Sequence, residues 1–340
     1  AEVADSLRRE NWCPDVVLGH SGWGELLFID DVWPGVPQLH YMEFAYGAQG
    51  PDTGFDPENE GQDGWWARAR GRMKNAAVWL SAEAMTWGVT PTAFQRAAFP
   101  AALQARISVI HDGIDCHKAI PDPQASLKLP SGQYLKPGDP VITFVNRTYE
   151  PYRGIRQFMR ALPALQARCP EAQVVMIGSD TPKVSYGARR KDQQGWFSVM
   201  RQELRDQLDW QRIHNLGRVP KSVFLQTLQV SAAHVYLTYP FVLSWSLLEA
   251  MACECLVIGS STPPVQEVIE HGSNGLLVNF FDTASISTAM AMALEQPQRF
   301  APLRNKARRD VQARFAVEQC QQKLISLLDL VAAGSMPTTN

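Results

Sequence analysis

This sequence predicts an α/β protein of two doubly wound parallel-sheet domains facing one another across a cleft, and three observations carry that reading. From Val141 onward, short apolar runs alternate with helix-like segments without a break. Before that, three further apolar runs each end in polar loop residues, as the strands of another sheet do. Between the two parts lies ASLKLPSGQYLKPGDP (125–140), rich in Pro and Gly and poor in periodic apolar residues, which reads as an interdomain linker. A chain of 340 residues is long enough for two cores of ordinary size.

In the first part, PDVVLGH (14–20), QLHYMEF (38–44) and ARISVIHDGID (105–115) read as buried strands. WWARARGRMKNAAVWLSAEAMT (65–86) is helix-like over part of its length. After the linker, VITFVNR (141–147) is a strand and IRQFMRALPALQARCP (155–170) a helix with apolar spacings of three and four. Strands follow at AQVVMIGSD (172–180), IHNLGRV (213–219), AHVYLTYP (233–240), CLVIGSS (255–261) and GLLVNFF (275–281). The segments between them read as helices: WFSVMRQELRDQLDW, KSVFLQTLQVSA, LSWSLLEAMA and PPVQEVIEHG. Strict strand–helix alternation implies parallel strands joined by right-handed crossovers, hence Rossmann-like domains. The end of the chain, 331–340, reads as a disordered tail.

Composition narrows the function. The chain is 45% hydrophobic and 19% charged, with no apolar run long enough to cross a bilayer and no basic-then-apolar leader. Six scattered cysteines lack paired spacing, and Cys253 and Cys255 read as small buried thiols, which fits a reducing, cytoplasmic compartment. Residues 1–63 hold 13 acidic and 2 basic side chains, a net of −11; with −2 for the whole chain, the remainder carries +9. Nucleic acid is repelled by the first part, whereas a small anion is attracted to the second.

Ligands of open parallel sheets bind beyond the carboxyl ends of the strands, where helix N-termini point. Leu243, Leu247, Leu248 and Met251 share one helix face and belong to the core, and Ser244 and Ser246 suit an anion-accepting first turn. Glu249 stands among these nearly uncharged neighbours, so its carboxylate is expected to be held for a partner such as ribose hydroxyls.

The run LLEAMACECLVIGSSTPPVQEVIEHGSNGLLV resembles the C-terminal signature of retaining glycosyltransferases of the GT-B fold, family 4. ITFVNRTYEPYRGIRQFMRAL (142–162) looks like that family's strand–GR–loop–KG–helix unit, with Arg147 on the arginine and Arg153 where the family has lysine. IHNLGRVPKSVFLQTL (213–228) is similar to its nucleobase-receiving FLGxVP segment, which puts Arg218 and Val219 beside the base. HDGID (111–115) resembles its NGVD turn.

The resemblance implies a GT-B fold. Residues 1–135 would be the acceptor-side domain and 136–330 the nucleotide-sugar-binding domain. It also implies transfer of a hexose, with retention, from a nucleotide diphosphate sugar to a glycan or lipid-linked glycan. Arg147 and Arg153 would hold the leaving diphosphate by charge-assisted forks, each worth about 1.5–3 kcal/mol. Leu243, Ser244 and Trp245 would supply the helix start, and Glu249 the ribose contact. No metal or other cofactor is then required, and no DxD-type pair stands near the arginines.

The first glutamate of the family's Glu-x7-Glu falls on Phe241. The glycines after it become Val242 and Ser244, the later glycine pair becomes Pro263–Pro264, and the glycine after AMA becomes Glu254. These departures bear on the identity of the sugar and on activity itself. A sugar-nucleotide epimerase and a nucleotide- or sugar-binding pseudoenzyme therefore stand as alternatives.

In the first part, His20 closes the strand beside Gly22, Gly24 and Glu25. By position it resembles the family's histidine near the reacting centre, so His20, Gly22 and Glu25 are the candidate acceptor residues; a strand-end histidine satisfied by backbone is the rival reading. Glu43 is a weaker candidate. Trp12, Trp23, Trp33, Trp65 and Trp66 are read as buried, with stacking on sugar rings as the alternative. Arg68, Arg70, Arg72 and Lys74 alternate too tightly for one helix face and read as a solvated charge run. An anionic acceptor or peripheral contact at the inner face of the membrane is the other reading. Ala1 opens the chain directly ahead of a mid-domain strand, so the first sheet is expected to lack earlier strands and to show an open edge.

Overall fold

The computed structural model describes residues 1–47, 51–58, 65–187 and 189–337. The chain divides into two compact units. One comprises residues 1–113, 240–242 and 317–340; the other comprises 114–239 and 243–316.

The first unit opens with α1 (Glu2–Arg9), β1 (Val17–His20), α2 (Ile29–Val32) and β2 (Gln38–Tyr41). It continues with α3 (Trp65–Lys74), α4 (Ala76–Ser81), β3 (Trp87–Thr90), α5 (Ala93–Ala97), α6 (Ala101–Gln104) and β4 (Ile107–Val109). The four strands are parallel in the order β1-β2-β3-β4, with β1 and β4 at the edges among the described residues. Period-two alternation sends Leu39, Trp87 and Val89 to one face, where they pack with Leu327 and Val331 of the chain's last helix. The other face packs Met42 and Ile107 with Val78, Met85 and Phe99.

The expected 65–86 helix is broken at Asn75. This buried side chain accepts from the Tyr46 N–H at 2.8 Å and donates to the Tyr46 carbonyl at 2.7 Å. Two helices result, and the residues after them form β3, a strand too short for its pattern to register.

The second unit begins with a correction. Residues 125–140 are not a linker: β5 (Leu127–Lys128) and β6 (Tyr134–Leu135) form an antiparallel hairpin. Its Leu127, Leu129 and Leu135 are buried against Val141, Val175 and Val230. Periodicity was hidden because only three leucines and Ala125 carry the burial. The expected boundary near 135 accordingly has no counterpart here, and the chain leaves the first unit at Gly113.

There follow β7 (Val141–Thr148), α7 (Ile155–Arg168), β8 (Gln173–Ser179), α8 (Trp196–Glu203), β9 (Ile213–Asn215) and α9 (Lys221–Gln229). Next come β10 (Ala233–Tyr236), α10 (Trp245–Ala252), β11 (Leu256–Ser260), α11 (Pro263–Gln266), β12 (Leu276–Val278), α12 (Thr283–Glu295) and α13 (Ala301–Arg314). Six parallel strands run β12-β11-β10-β7-β8-β9. The crossovers from β7 run outward one way and those from β10 the other. Right-handedness then places α7 on one face and α10 on the opposite one, and the switch falls between β7 and β10.

Phe144 stacks on Phe158 of α7 at 4.2 Å. Leu247, Leu248 and Met251 of α10 pack with Val257, Ala307 and Val311. The last helix, α14 (Val317–Ala332), returns to the first unit with Val331 fully buried. The expected tail therefore begins later than 331, and its final three residues lie outside those described.

One backbone position is tightly constrained. Gly154, between β7 and α7, has φ +71°, and a Cβ there would lie 2.5 Å from Leu237 Cβ. Gly154→Ala should lower unfolding stability by about 1–3 kcal/mol through the left-handed backbone alone, with the clash in addition. Equal urea midpoints for the two chains would contradict this.

Candidate functional site

The carboxyl ends of β7 and β10, at the switch in strand order, hold Arg147, Arg153 and, through Tyr236, the start of α10. Arg147, near the end of β7, is exposed. Arg153, in the turn before α7, is only 5% exposed and donates from Nη1 to Thr238 Oγ1 at 2.8 Å and towards the Tyr236 hydroxyl at 3.4 Å. Its guanidinium lies 5.4 Å from the Tyr186 ring centroid. The two arginines thus differ: one faces solvent and the other is set into the floor.

Hydroxyls fix that floor. Ser260 Oγ accepts from the Thr238 N–H at 3.0 Å and donates to the Thr238 carbonyl at 3.1 Å, and Thr262 donates to the same carbonyl at 3.2 Å. The Tyr236 hydroxyl accepts from the Ser244 N–H at 2.7 Å, so that amide, expected to face an anion, is already engaged. Ser244 Oγ instead meets Ser246 Oγ at 2.9 Å. Leu243 is half-buried and Trp245 is 55% exposed at the start of α10.

Glu150 was missed by the sequence reading. Its side chain is buried, and Oε2 accepts from the N–H groups of Ser185 at 2.7 Å and Tyr186 at 2.9 Å. Burial pushes this carboxyl up to about 7, against the opposing pull of those N–H groups and of the Arg153 and Arg147 charges. Arg147 and Arg153 on either side of it were read as a pair, and nothing in the local pattern marks the carboxylate between them as buried.

Glu249 is 8% exposed, and its partner is Lys221, the first residue of α9, whose ammonium pairs with Oε1. Lys221 Nζ also lies 4.5 Å from the Phe224 ring centroid. This ion pair brings the 218–221 segment, with exposed Arg218 and half-buried Val219, next to Glu249. Lys221 stands two residues beyond the quoted GRV, and its spacing from Glu249 gives no sequence signal.

The first unit has its own polar group at strand carboxyl ends. His20 Nδ1 accepts from the Gly22 N–H at 3.1 Å, so a neutral ring carries its proton on Nε2. Nε2 lies 3.4 Å from Glu43 Oε2, an electrostatic contact too misaligned for a hydrogen bond. The ring stacks on Trp23 at 4.2 Å, and a Cβ at Gly22 would come within 3.1 Å of it. Glu25 accepts from the His20 main-chain N–H, so its carboxylate positions the strand end. The Tyr41 hydroxyl donates to Asp112 at 2.8 Å, and burial and that carboxylate hold its pKa well above the usual phenol range, so it stays protonated.

Phe241, at the position of the family's first glutamate, is 1% exposed. It packs edge-on against Phe44 at 4.8 Å and near Tyr46 at 6.0 Å. It is a core residue of the first unit. Among the described residues, no group of three or more His, Cys, Asp or Glu side chains is arranged to hold a metal ion.

Residues 1–119 match the model of the glycosyl transferase family 4 group, and residues 139–296 that of glycosyl transferases group 1. The phosphatidyl-myo-inositol mannosyltransferase of Propionibacterium freudenreichii subsp. shermanii is 30% identical over 161 residues, 47% of this chain and 36% of that relative's length. Anabaena Alr3699/HepE, solved with UDP and glucose, is similar at a TM-score of 0.72 and 17% identity, over 97% of this chain and 82% of that one. Sucrose-phosphate synthase from Thermosynechococcus elongatus is similar at a TM-score of 0.75 and 18% identity, over 98% and 78%. The chain therefore has the GT-B fold of two Rossmann-like units, its parts resembling the family 4 group and group 1 glycosyltransferases.

Proposed function

We propose that this chain is a metal-independent, retaining glycosyltransferase of family 4. It would move a hexose from a nucleotide diphosphate sugar to a glycan or lipid-linked glycan in the cytoplasm. The observation that carries the reading is the pairing of exposed Arg147 with buried Arg153 at the carboxyl end of β7, at the switch point of the second sheet. Two guanidiniums there neutralise a departing diphosphate without an ion. Anabaena Alr3699/HepE in complex with UDP-glucose supports a uridine nucleotide as the first donor to try.

In this reaction the bond from the anomeric carbon to the diphosphate oxygen breaks, and the acceptor oxygen bonds to that carbon on the same face. The acceptor's proton passes to the departing diphosphate. Arg147 and Arg153 stabilise the charge that develops, Glu249 holds the ribose, and the His20 group orients the acceptor or the sugar. Retention is carried by the family resemblance. The buried Phe241 favours a second reading, a nucleotide-binding protein without turnover, because no carboxylate stands at that position.

Incubation with UDP- and GDP-sugars without acceptor separates these readings. Slow hydrolysis supports the transferase, saturable binding without turnover the binding protein, and epimer formation an epimerase.

Arg147→Ala should weaken nucleoside diphosphate binding by about 1.5–3 kcal/mol and leave nucleoside binding nearly unchanged. Glu249→Ala should lose a similar 1.5–3 kcal/mol or so of nucleotide affinity and abolish discrimination between ribose and dideoxyribose. Equal loss for nucleoside and diphosphate, with discrimination retained, would reduce Arg147 and the Glu249–Lys221 pair to structural roles.

Glu150 yields a pH prediction. Its carboxyl ionises near 4.5 when unfolded and near 7 when folded, so its contribution to stability falls as pH rises across that window. Glu150→Gln carries no charge, so its stability relative to the natural chain should rise between about pH 5 and pH 8, by up to about 3 kcal/mol. A stability difference that does not change with pH would contradict the burial account.

A further inference from the structure

The turn that carries Arg153 also grips a distant loop. Glu150 follows the end of β7, and one 3-10 turn, Pro151–Arg153, follows Glu150, with the Arg153 N–H donating to the Glu150 carbonyl at 3.0 Å. The Glu150 side chain is buried, and its Oε2 takes two main-chain donors from the loop after β8, the N–H groups of Ser185 and Tyr186. Thr148, at the end of β7, adds a third tie by accepting from Ser185 Oγ at 3.3 Å. Residues 181–187 lie in no helix or strand. Their place beside β7 is set by these tethers, and Glu150 receives two of the three.

The tethers aim one side chain at the candidate site. The Tyr186 ring centroid lies 5.4 Å from the Arg153 guanidinium carbon and 6.4 Å from the Tyr152 ring. Gly187 has φ +88°, and a Cβ there would lie 3.2 Å from the Tyr152 ring, so this segment sits directly on the turn. Tyr152 in turn stacks on Tyr239 at 4.5 Å. A ring over the face of a guanidinium keeps water off that face and does not take up the in-plane N–H groups. One buried carboxyl group thus belongs to the turn of Arg153 and also holds the ring that covers it.

We propose that Glu150 is a positioning residue of the diphosphate site: by gripping the Ser185 and Tyr186 amides it keeps the Tyr186 ring over Arg153. This rests on the reading of Arg147 and Arg153 as the diphosphate grip, and it adds the loop 181–187 to that site. Two roles for Glu150 differ in the sign of their effect. A carboxylate that is only an acidic neighbour of two arginines opposes an incoming anion, so its removal strengthens diphosphate binding. A tether does the reverse, because its loss releases the loop and lets water reach the Arg153 guanidinium. Burial of the side chain, with two amides on one oxygen, fits the tether. Glutamine separates the two roles, since its amide oxygen accepts the same two N–H groups without carrying charge.

The test is calorimetric titration of the full chain with UDP and GDP, with uridine and guanosine as controls, and hydrogen–deuterium exchange without ligand. It is run at about pH 8, above the value of about 7 at which the Glu150 carboxyl loses its proton. Glu150→Ala should weaken binding of the preferred diphosphate about tenfold, leave nucleoside binding unchanged and speed exchange at residues 181–187. Glu150→Gln should bind the diphosphate at least as tightly as the natural chain and keep those amides protected. Tyr186→Ala retains the tether and removes only the ring, so it should show the same loss of about tenfold, and it decides the matter if Glu150→Ala does not fold. Three results would each overturn the proposal: undiminished diphosphate binding by Glu150→Ala, Glu150→Gln as weak as Glu150→Ala, or Tyr186→Ala equal to the natural chain. Arg147 lies outside the tether, so a loss with Arg147→Ala and none with the other variants rejects the tether alone. No loss with Arg147→Ala, or no binding of either diphosphate by the natural chain, rejects the diphosphate reading and the tether's role with it.

Discussion

A guanidinium almost sealed from water organises the carboxyl end of the second sheet. At 5% exposure, Arg153 requires hydrogen-bond acceptors placed around it before any ligand arrives. Thr238 and Tyr236 supply them, and Ser260 and Thr262 hold Thr238 in turn. The same Tyr236 hydroxyl receives the Ser244 amide and so fixes where α10 starts. Gly154, the residue after Arg153, lets the chain turn at φ +71° against Leu237, where a Cβ would clash. Glu150 adds an acidic neighbour whose own desolvation holds it near neutrality, so the arginines are not quenched by a fully formed carboxylate. A preorganised positive floor of this kind stabilises a leaving diphosphate better than a flexible surface cation does.

Much of this was legible in the sequence, for physical reasons that can be named. The six strands of the second unit announce themselves because strands buried on both faces are continuous apolar runs, as in VITFVNR and AQVVMIGSD. Arg147, Arg153 and Glu249 could be singled out as candidates because the motifs that carry them are local. What was not readable depends on distant partners. Lys221 meets Glu249 across 28 residues, and Glu150 meets the Ser185 and Tyr186 amides across 35 and 36. The hairpin in 125–140 was hidden by its Pro and Gly content, since three leucines suffice to bury it. The exposure of Trp12, Trp23, Trp65 and Trp66 was misread because tryptophan's general tendency to be buried carries no information about these particular positions.

The first unit poses a different constraint. His20 is fixed by the Gly22 amide, the Trp23 ring and the contact with Glu43, which sets its tautomer. Phe241 does for its segment what a glutamate cannot: it anchors residues 240–242 in an apolar aromatic cluster with Phe44 and Tyr46.

The central claim is that the β7–β10 switch, floored by Arg153, receives the nucleotide diphosphate. Hydrogen–deuterium exchange with and without a saturating nucleoside diphosphate tests it most directly. The account predicts slowed exchange in residues 146–154 and 238–250, with the β5–β6 hairpin and α13 unchanged. Protection confined to the first unit, or none at ligand concentrations that shift the unfolding temperature, would contradict it.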